Sequence, residues 1–154
     1  MFDINKVNYE MMIQKEVTGI LKCNDVSSRY GIVLKESDAR ELVAVRQEVV
    51  NEVGLIEFKS IIVEAIVLAF CDSQFITKYD YLDMLSQLVE IFYYYRTEVD
   101  ELMSDEDIIK YMRLAFEGTC QGSLDWLSDH QLNKLLDDLC NNKDIFEELD
   151  YADY

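Results

Sequence analysis

The chain contains no proline and only 5 glycines in 154 residues. All-β folds are punctuated by turns rich in those two residues, so their scarcity directs the chain toward helices joined by short polar connections. Half of the residues are hydrophobic, and a chain of this length can bury a real core. The reading is an all-α fold. Residues 1–154 form a single helical domain of about five to seven helices, with an acidic C-terminal tail over 144–154.

Hydrophobic periodicity places the elements. Tyr9, Met12, Ile13, Val17, Ile20 and Leu21 predict a first amphipathic helix over 6–23. Ile32 to Leu34 is a short apolar run, either an extended piece or a plug in the core; 55–58 leaves the same choice between strand and loop. Ser37 is the expected N-cap of a helix carrying Leu42, Val45, Val49 and Val53, and Gly54 ends it. Residues 58–71 are apolar nearly all round, as a central helix covered by its neighbours would be. Thr77-Lys78-Tyr79-Asp80 resembles a capping box for a long helix over 79–102. There Tyr81, Leu85, Leu88, Phe92, Tyr95, Val99 and Leu102 alternate steps of four and three, forming the core stripe of a bundle or a self-associating seam. Ser104 caps a helix ending at Gly118, Ser123 caps a segment with Leu124, Trp126 and Leu127, and Ser128 to Gln131 reads as a capping box for a last helix.

Charge narrows the function. The formal net charge is -17 and is unevenly placed: residues 1–77 carry 8 Lys and Arg against 12 Asp and Glu, and residues 78–154 carry 6 against 19. Such a second half repels nucleic-acid phosphates and anionic membranes, so direct binding to either is not expected, whereas a basic protein partner is. The N-terminus has no apolar region or cleavage site of a secretory signal, and Ile61 to Cys71 is too short to span a bilayer. Cys23, Cys71, Cys120 and Cys140 are widely separated and form no close pair. The expected state is four free thiols in the cytoplasm, with no metal and no cofactor.

No motif carries an obvious reaction. His130 is the one histidine; it could serve as a general base, but a single histidine cannot build the paired metal sites of helical bundles, and no nucleophile elbow accompanies it. Cys71, near a helix C-terminus, sits where the dipole disfavours a thiolate. Gly118 to Ser123 lacks the lysine and spacing of a phosphate-binding loop. Glu64 interrupts the most apolar helix. It is either a carboxylate whose pKa burial raises, or a group that reaches water or pairs with Arg46 or Arg96. Glu98, Asp100, Glu101, Asp105, Glu106 and Asp107 form an acidic cluster without the glycine and ligand alternation of a calcium loop. Beside it, Tyr93 and Tyr94 are expected to be partly exposed, as interface tyrosines are.

Ala69 to Ser73, Ala115 to Gly118, Gln121 to Leu124 with Trp126-Leu127, Gly31 to Leu34, and Val53-Gly54 with Glu57-Phe58 resemble an uncharacterised family of short acidic proteins from clostridia-like Gram-positive bacteria. The resemblance spans about 30–128. It implies a bacterial source and a cytoplasmic setting but assigns no activity. The expected role is a non-enzymatic interaction or regulatory module working through an acidic surface, with homodimerisation left open. Two alternatives stand beside it: an acidic mimic of nucleic acid that blocks a DNA- or RNA-binding protein, and an enzyme with a site near Glu64 and the 118–123 loop.

Overall fold

The computed structural model describes residues 4–55, 57 and 61–146. Those residues are helices and turns, with no strand among them. In chain order they are α1 (Ile4–Lys22), α2 (Asn24–Ser27) with a 3-10 turn (Ser28–Tyr30), α3 (Glu36–Glu52), α4 (Ile62–Phe70), α5 (Tyr81–Val99), α6 (Asp105–Glu117), and a final helix. That final helix begins as α7 (Leu124–Trp126), widens to a π segment (Leu127–Gln131) and continues as α8 (Leu132–Cys140).

Helix α4 is the centre. It packs against α1, α2, α3, α5 and α6, and Ile62, Val63, Ile66, Val67 and Phe70 are buried there. The bundle gathers round this apolar helix but does not close over it: Leu68 is 46% exposed, and Glu64, Ala65 and Ala69 are half-buried on the same side. Residues 58–60, expected to open this helix, lie outside the described residues. So do residues 147–154 of the acidic tail. Within reach of that tail, Ile145 is buried and Phe146 lies under the Lys110 ammonium, 4.5 Å from the ring centroid.

The connections show where local chemistry decides. Ile32 and Leu34 are buried while Val33 faces out, but the run is not a strand. The Asn24 side chain takes a partner strand's place: it accepts from Leu34 N at 2.8 Å and donates to Leu34 O at 2.9 Å. Ser27 Oγ donates to Ile32 O. The apolar plug therefore enters the core with its backbone satisfied. Gly54, at φ +75°, ends the turn after α3 as a C′ residue does. Ser104 and Ser123 cap α6 and α7 by accepting from Asp107 N and Trp126 N.

Several expected boundaries move. Helix α3 starts at Glu36 rather than after Ser37, because Asp38 reaches back to accept from Lys35 N. Thr77 to Asp80 makes the reciprocal bonds of the expected capping box, Asp80 Oδ1 accepting from Thr77 N and Thr77 Oγ1 accepting from Tyr79 N, but as a turn, and α5 begins only at Tyr81. The long helix stops at Val99, where Asp100 takes φ +53°. Leu102 consequently leaves the seam and is 68% exposed.

The seam itself lies inside the bundle. Leu85, Leu88, Phe92, Tyr95 and Val99 are all buried. The expected helix start at Ser128 is replaced by one helix running through from Leu124, with Ser128 Oγ donating to Asp125 O. The π turn has a tertiary cause. Tyr95 Oη donates to Leu127 O at 2.5 Å, and Tyr111 Oη donates to Gln131 O while accepting from Gln131 Nε2. Two buried hydroxyls thus give these residues partners outside the helical ladder, which accommodates the wider turn.

Phe92→Ala removes a fully buried ring that meets Tyr93 edge-on at 5.0 Å. The expected loss in urea denaturation is about 3–5 kcal/mol. Leu102→Ala, on the exposed side of the helix end, should stay within about 0.5 kcal/mol of the parent. A stable Phe92→Ala protein with altered mass in light scattering would show that the seam joins separate chains.

Candidate functional site

Two features have the chemistry of a recognition site: an acidic face and a cleft floored by a buried arginine.

The acidic face is built where α5 stops. Glu98, Asp100 and Glu101 surround the chain reversal at Asp100, and Asp105, Glu106 and Asp107 form the first turn of α6, where negative charge suits the helix dipole. Glu98, Asp100, Glu101, Glu106 and Asp107 are exposed; Asp105 is half-buried and pairs with Arg96 Nε at 3.5 Å. The face continues onto α3 and α5, beyond the residues singled out from sequence. Tyr94 is exposed and donates to Glu52 Oε2 at 3.2 Å. Glu90 sits above the ordinary carboxylate range, through partial desolvation first and then through the nearby charges of Glu52 and Glu48. Tyr93 corrects the expected surface. It is fully buried, and its hydroxyl donates inward to Glu57 Oε1 at 2.9 Å. Helix α5 is covered on more than one side, by α3, α4, α6 and α8, so its buried arc extends beyond the seam.

The cleft lies between α1 and α3, closed at one end by the turn after α3. Its volume is about 400 Å³. Met12, Ile13, Val50 and Leu55 make apolar walls, Tyr9 and Gln47 meet through a hydrogen bond from the tyrosine hydroxyl, and Asn51 adds an amide. Glu16, Arg46 and Glu57 supply the charge. Arg46 is only 3% exposed. It reaches Glu16 at 2.7 Å and Glu57 at 3.7 Å; Glu57 also takes Arg96 at 2.8 Å. Burial works against the Arg46 charge, but the hydrogen bond and charge of Glu16, with Tyr93 and Glu57, more than offset it and raise its pKa. Arg46 Nε remains buried without an acceptor. From sequence, Arg46 and Arg96 stand only as possible partners of Glu64. The missed signal was periodicity: Arg46 falls on the stripe of Leu42, Val49 and Val53, and Glu16 stands beside Ile13, Val17 and Ile20, so both are charged residues at core-facing positions.

Glu64 uses neither arginine. It is half-buried with its carboxylate against Gly19 of α1, where a Cβ would stand under 2 Å from Oε1. Burial raises its pKa, Lys22 opposes the shift and Glu16 adds to it. The 118–123 loop packs elsewhere. Gly122 takes φ +79° directly beneath Phe75, and a Cβ there would meet that ring's Cγ at 2.5 Å. Gly19 and Gly122 are thus packing requirements, and no described contact joins the loop to Glu64. His130 lies within the π segment, exposed, stacked on Trp126 with centroids 3.9 Å apart. Cys23, Cys71 and Cys120 are buried free thiols and Cys140 is exposed. Burial pushes Cys23 up to about 11 and Cys120 up to about 12, and raises Cys71 as well, with Asp72 adding to it. These three are protonated packing residues at neutral pH. Among the described residues, no group of three or more His, Cys, Asp or Glu is placed to hold a metal ion.

The chain belongs to the family of unknown function DUF6323, whose model matches residues 19–144. Neither a curated protein nor a solved structure matches it. The match covers α3, the turn carrying Glu57, and all of α5 and α6, and it begins late in α1, after Glu16.

Arg46→Ala leaves Glu16 without its partner and Glu57 with one guanidinium fewer. The expected cost in chemical denaturation is about 3–5 kcal/mol, against less than about 1 kcal/mol for exposed Arg40→Ala. An unchanged midpoint for Arg46→Ala would remove the buried pair from the account of stability. The raised pKa of Glu64 gives a pH-dependent effect of definite sign. The native state holds that proton more tightly than the unfolded chain, so the charged side chain destabilises the fold above its raised pKa. The penalty disappears as pH falls below the ordinary carboxylate range. Glu64→Gln should therefore raise the melting temperature at neutral pH and lose that advantage toward about pH 4. An advantage that grew on acidification would reverse the assignment.

Proposed function

We propose that this DUF6323 member is a non-enzymatic, cytoplasmic interaction or regulatory module whose acidic face meets a basic protein partner. The observation that carries it is the run from Glu98 to Asp107. It places six carboxylates within ten residues, five of them exposed, and the one described ion pair among them is Asp105 with Arg96. Carboxylates gathered in this way repel one another and attract an arriving cation, and a partner's lysines and arginines would relieve the repulsion. Tyr94 and Leu102 supply exposed apolar surface on the same helix and its end, as interface anchors do. The free thiols agree with a reducing compartment. No helix of the described residues is long and apolar enough to cross a membrane.

The test is a triple variant, Glu98→Gln, Glu101→Gln and Glu106→Gln. Its sites are exposed, so each should alter stability by no more than about 0.5 kcal/mol. Parent and variant are immobilised and exposed to the same native cell extract, and bound proteins are identified. A basic protein retained by the parent, released by moderate salt and lost from the variant is the expected result. Identical retention on the two, or a retained partner that is itself acidic, would refute the acidic-face reading.

A further inference from the structure

Helix α1 carries two stripes. Ile13, Val17 and Ile20 pack into the core. On the opposite side Ile4, Val7, Met11, Gln14 and Thr18 follow one another in alternating steps of three and four, the spacing of a heptad seam. The fold leaves this second seam uncovered: Ile4 is 62% exposed, Val7 38% and Met11 57%, with Gln14 and Thr18 exposed beside them. A single exposed apolar side chain needs no explanation, but three in register along one helix mark a contact surface. The same side holds a groove of about 460 Å³ bounded by α1 alone, from Met11 to Lys22. A facing helix sets its side chains into holes of this kind.

Charge selects the occupant. Helix α1 carries Lys6, Lys15 and Lys22 against Glu10 and Glu16, in a chain whose net charge is -17. Two copies meeting through their acidic faces would bring carboxylate against carboxylate; at α1 they would not. With Ile4, Met11 and Thr18 at heptad position a, and Val7 and Gln14 at d, Glu10 falls at g and Lys15 at e. In a parallel pair a g residue faces the e residue five positions on in the other helix, so Glu10 of each copy meets Lys15 of the other. An antiparallel pair sets g beside g and e beside e, which opposes like charges. Glu10 and Lys15 are exposed, and among the described residues neither has an ion pair within its own chain.

We propose that the outward face of α1 docks a second copy of this chain. The two α1 helices lie parallel about a two-fold axis, with Ile4, Val7 and Met11 layered against their counterparts and the Glu10–Lys15 pair made twice. The seam has few apolar layers, so the dimer is weak, with a dissociation constant of about 10–100 μM. This interface goes beyond the acidic-face interaction and stands or falls separately from it.

Sedimentation equilibrium of the full chain, loaded from about 2 to about 300 μM, tests the proposal. The average mass should rise with concentration from 18.1 kDa toward twice that value and no further. Met11→Lys, at an exposed position, should stay monomeric throughout and keep the far-ultraviolet helical spectrum. Glu10→Lys and Lys15→Glu each oppose like charges at both contacts, so each alone should weaken self-association by about tenfold or more. An equimolar mixture of those two variants should dimerise again, because each supplies the charge the other lacks. The triple acidic-face variant should dimerise as the parent does. A parent that remains at 18.1 kDa across the whole range overturns the proposal. So does a dimer that survives Met11→Lys, or single charge variants that associate as tightly as the parent. A mass that grows past two copies also overturns it, and would show the acidic face of one copy docking head-to-tail on the α1 lysines of the next.

Discussion

The buried guanidinium of Arg46 sets the terms for the first half of the molecule. A charge taken from water into a bundle costs several kcal/mol, about as much as good partners return. Its partners come from different places: Glu16 from α1 and Glu57 from the turn after α3. Glu57 is also held by Tyr93 and Arg96 of α5, and Arg96 by Asp105 at the start of α6. Apolar contacts tolerate small rotations of one helix on another. A buried ion pair does not, because a slipped register leaves a bare charge in the interior. The chain Glu16–Arg46–Glu57–Arg96–Asp105 therefore fixes how α1, α3, α5 and α6 are set relative to one another.

The second half is ordered by a different device, the paired hydroxyls of Tyr95 and Tyr111. Their rings lie 6.3 Å apart, and both hydroxyls hydrogen-bond into the π segment of the last helix. Placing a tyrosine where a phenylalanine would pack equally well commits the interior to supplying a partner. Here the partners are helix backbone carbonyls. The Tyr95 hydroxyl is accordingly held protonated by burial, with Tyr111 and Cys120 adding to the effect. The same wide turn turns Trp126 and His130 outward as an exposed stack.

What could be read in advance followed the range of the interaction responsible. Caps at Ser104 and Ser123, the stop at Gly54 and the apolar character of Ile62 to Phe70 depend on residues within a turn or two of one another, and pattern alone located them. The acidic cluster was legible for the same reason, since charge density along a chain needs no tertiary information. The burial of Tyr93 was not legible, because a heptad seam describes one face of α5 while the structure covers more than one. The π segment was hidden because its cause lies on α5 and α6, some 20 to 32 residues away in sequence. The cleft was hidden because its polar floor joins Glu16, Arg46 and Glu57, each of which alone resembles an ordinary surface charge.

The distribution of cations links the two candidate sites. Arg40, Arg46, Arg96 and Arg113 are all engaged in ion pairs, with Glu36, Glu16, Glu57, Asp105, Asp72 and Glu117. Guanidinium groups suit this role because they hold several hydrogen bonds at fixed angles and keep their charge when buried. Their use as internal fasteners has an external consequence. Four of five arginines are tied up in this way, and among the described residues no ion pair reaches Glu98, Glu101, Glu106 or Asp107. In a chain whose formal net charge is -17, these exposed carboxylates present an outward negative field. Such a field speeds the approach of positively charged molecules and weakens steeply with ionic strength. The interior network that holds the helices in register reaches this face only at Asp105, through Arg96, and leaves the neighbouring carboxylates free to meet a partner's cations.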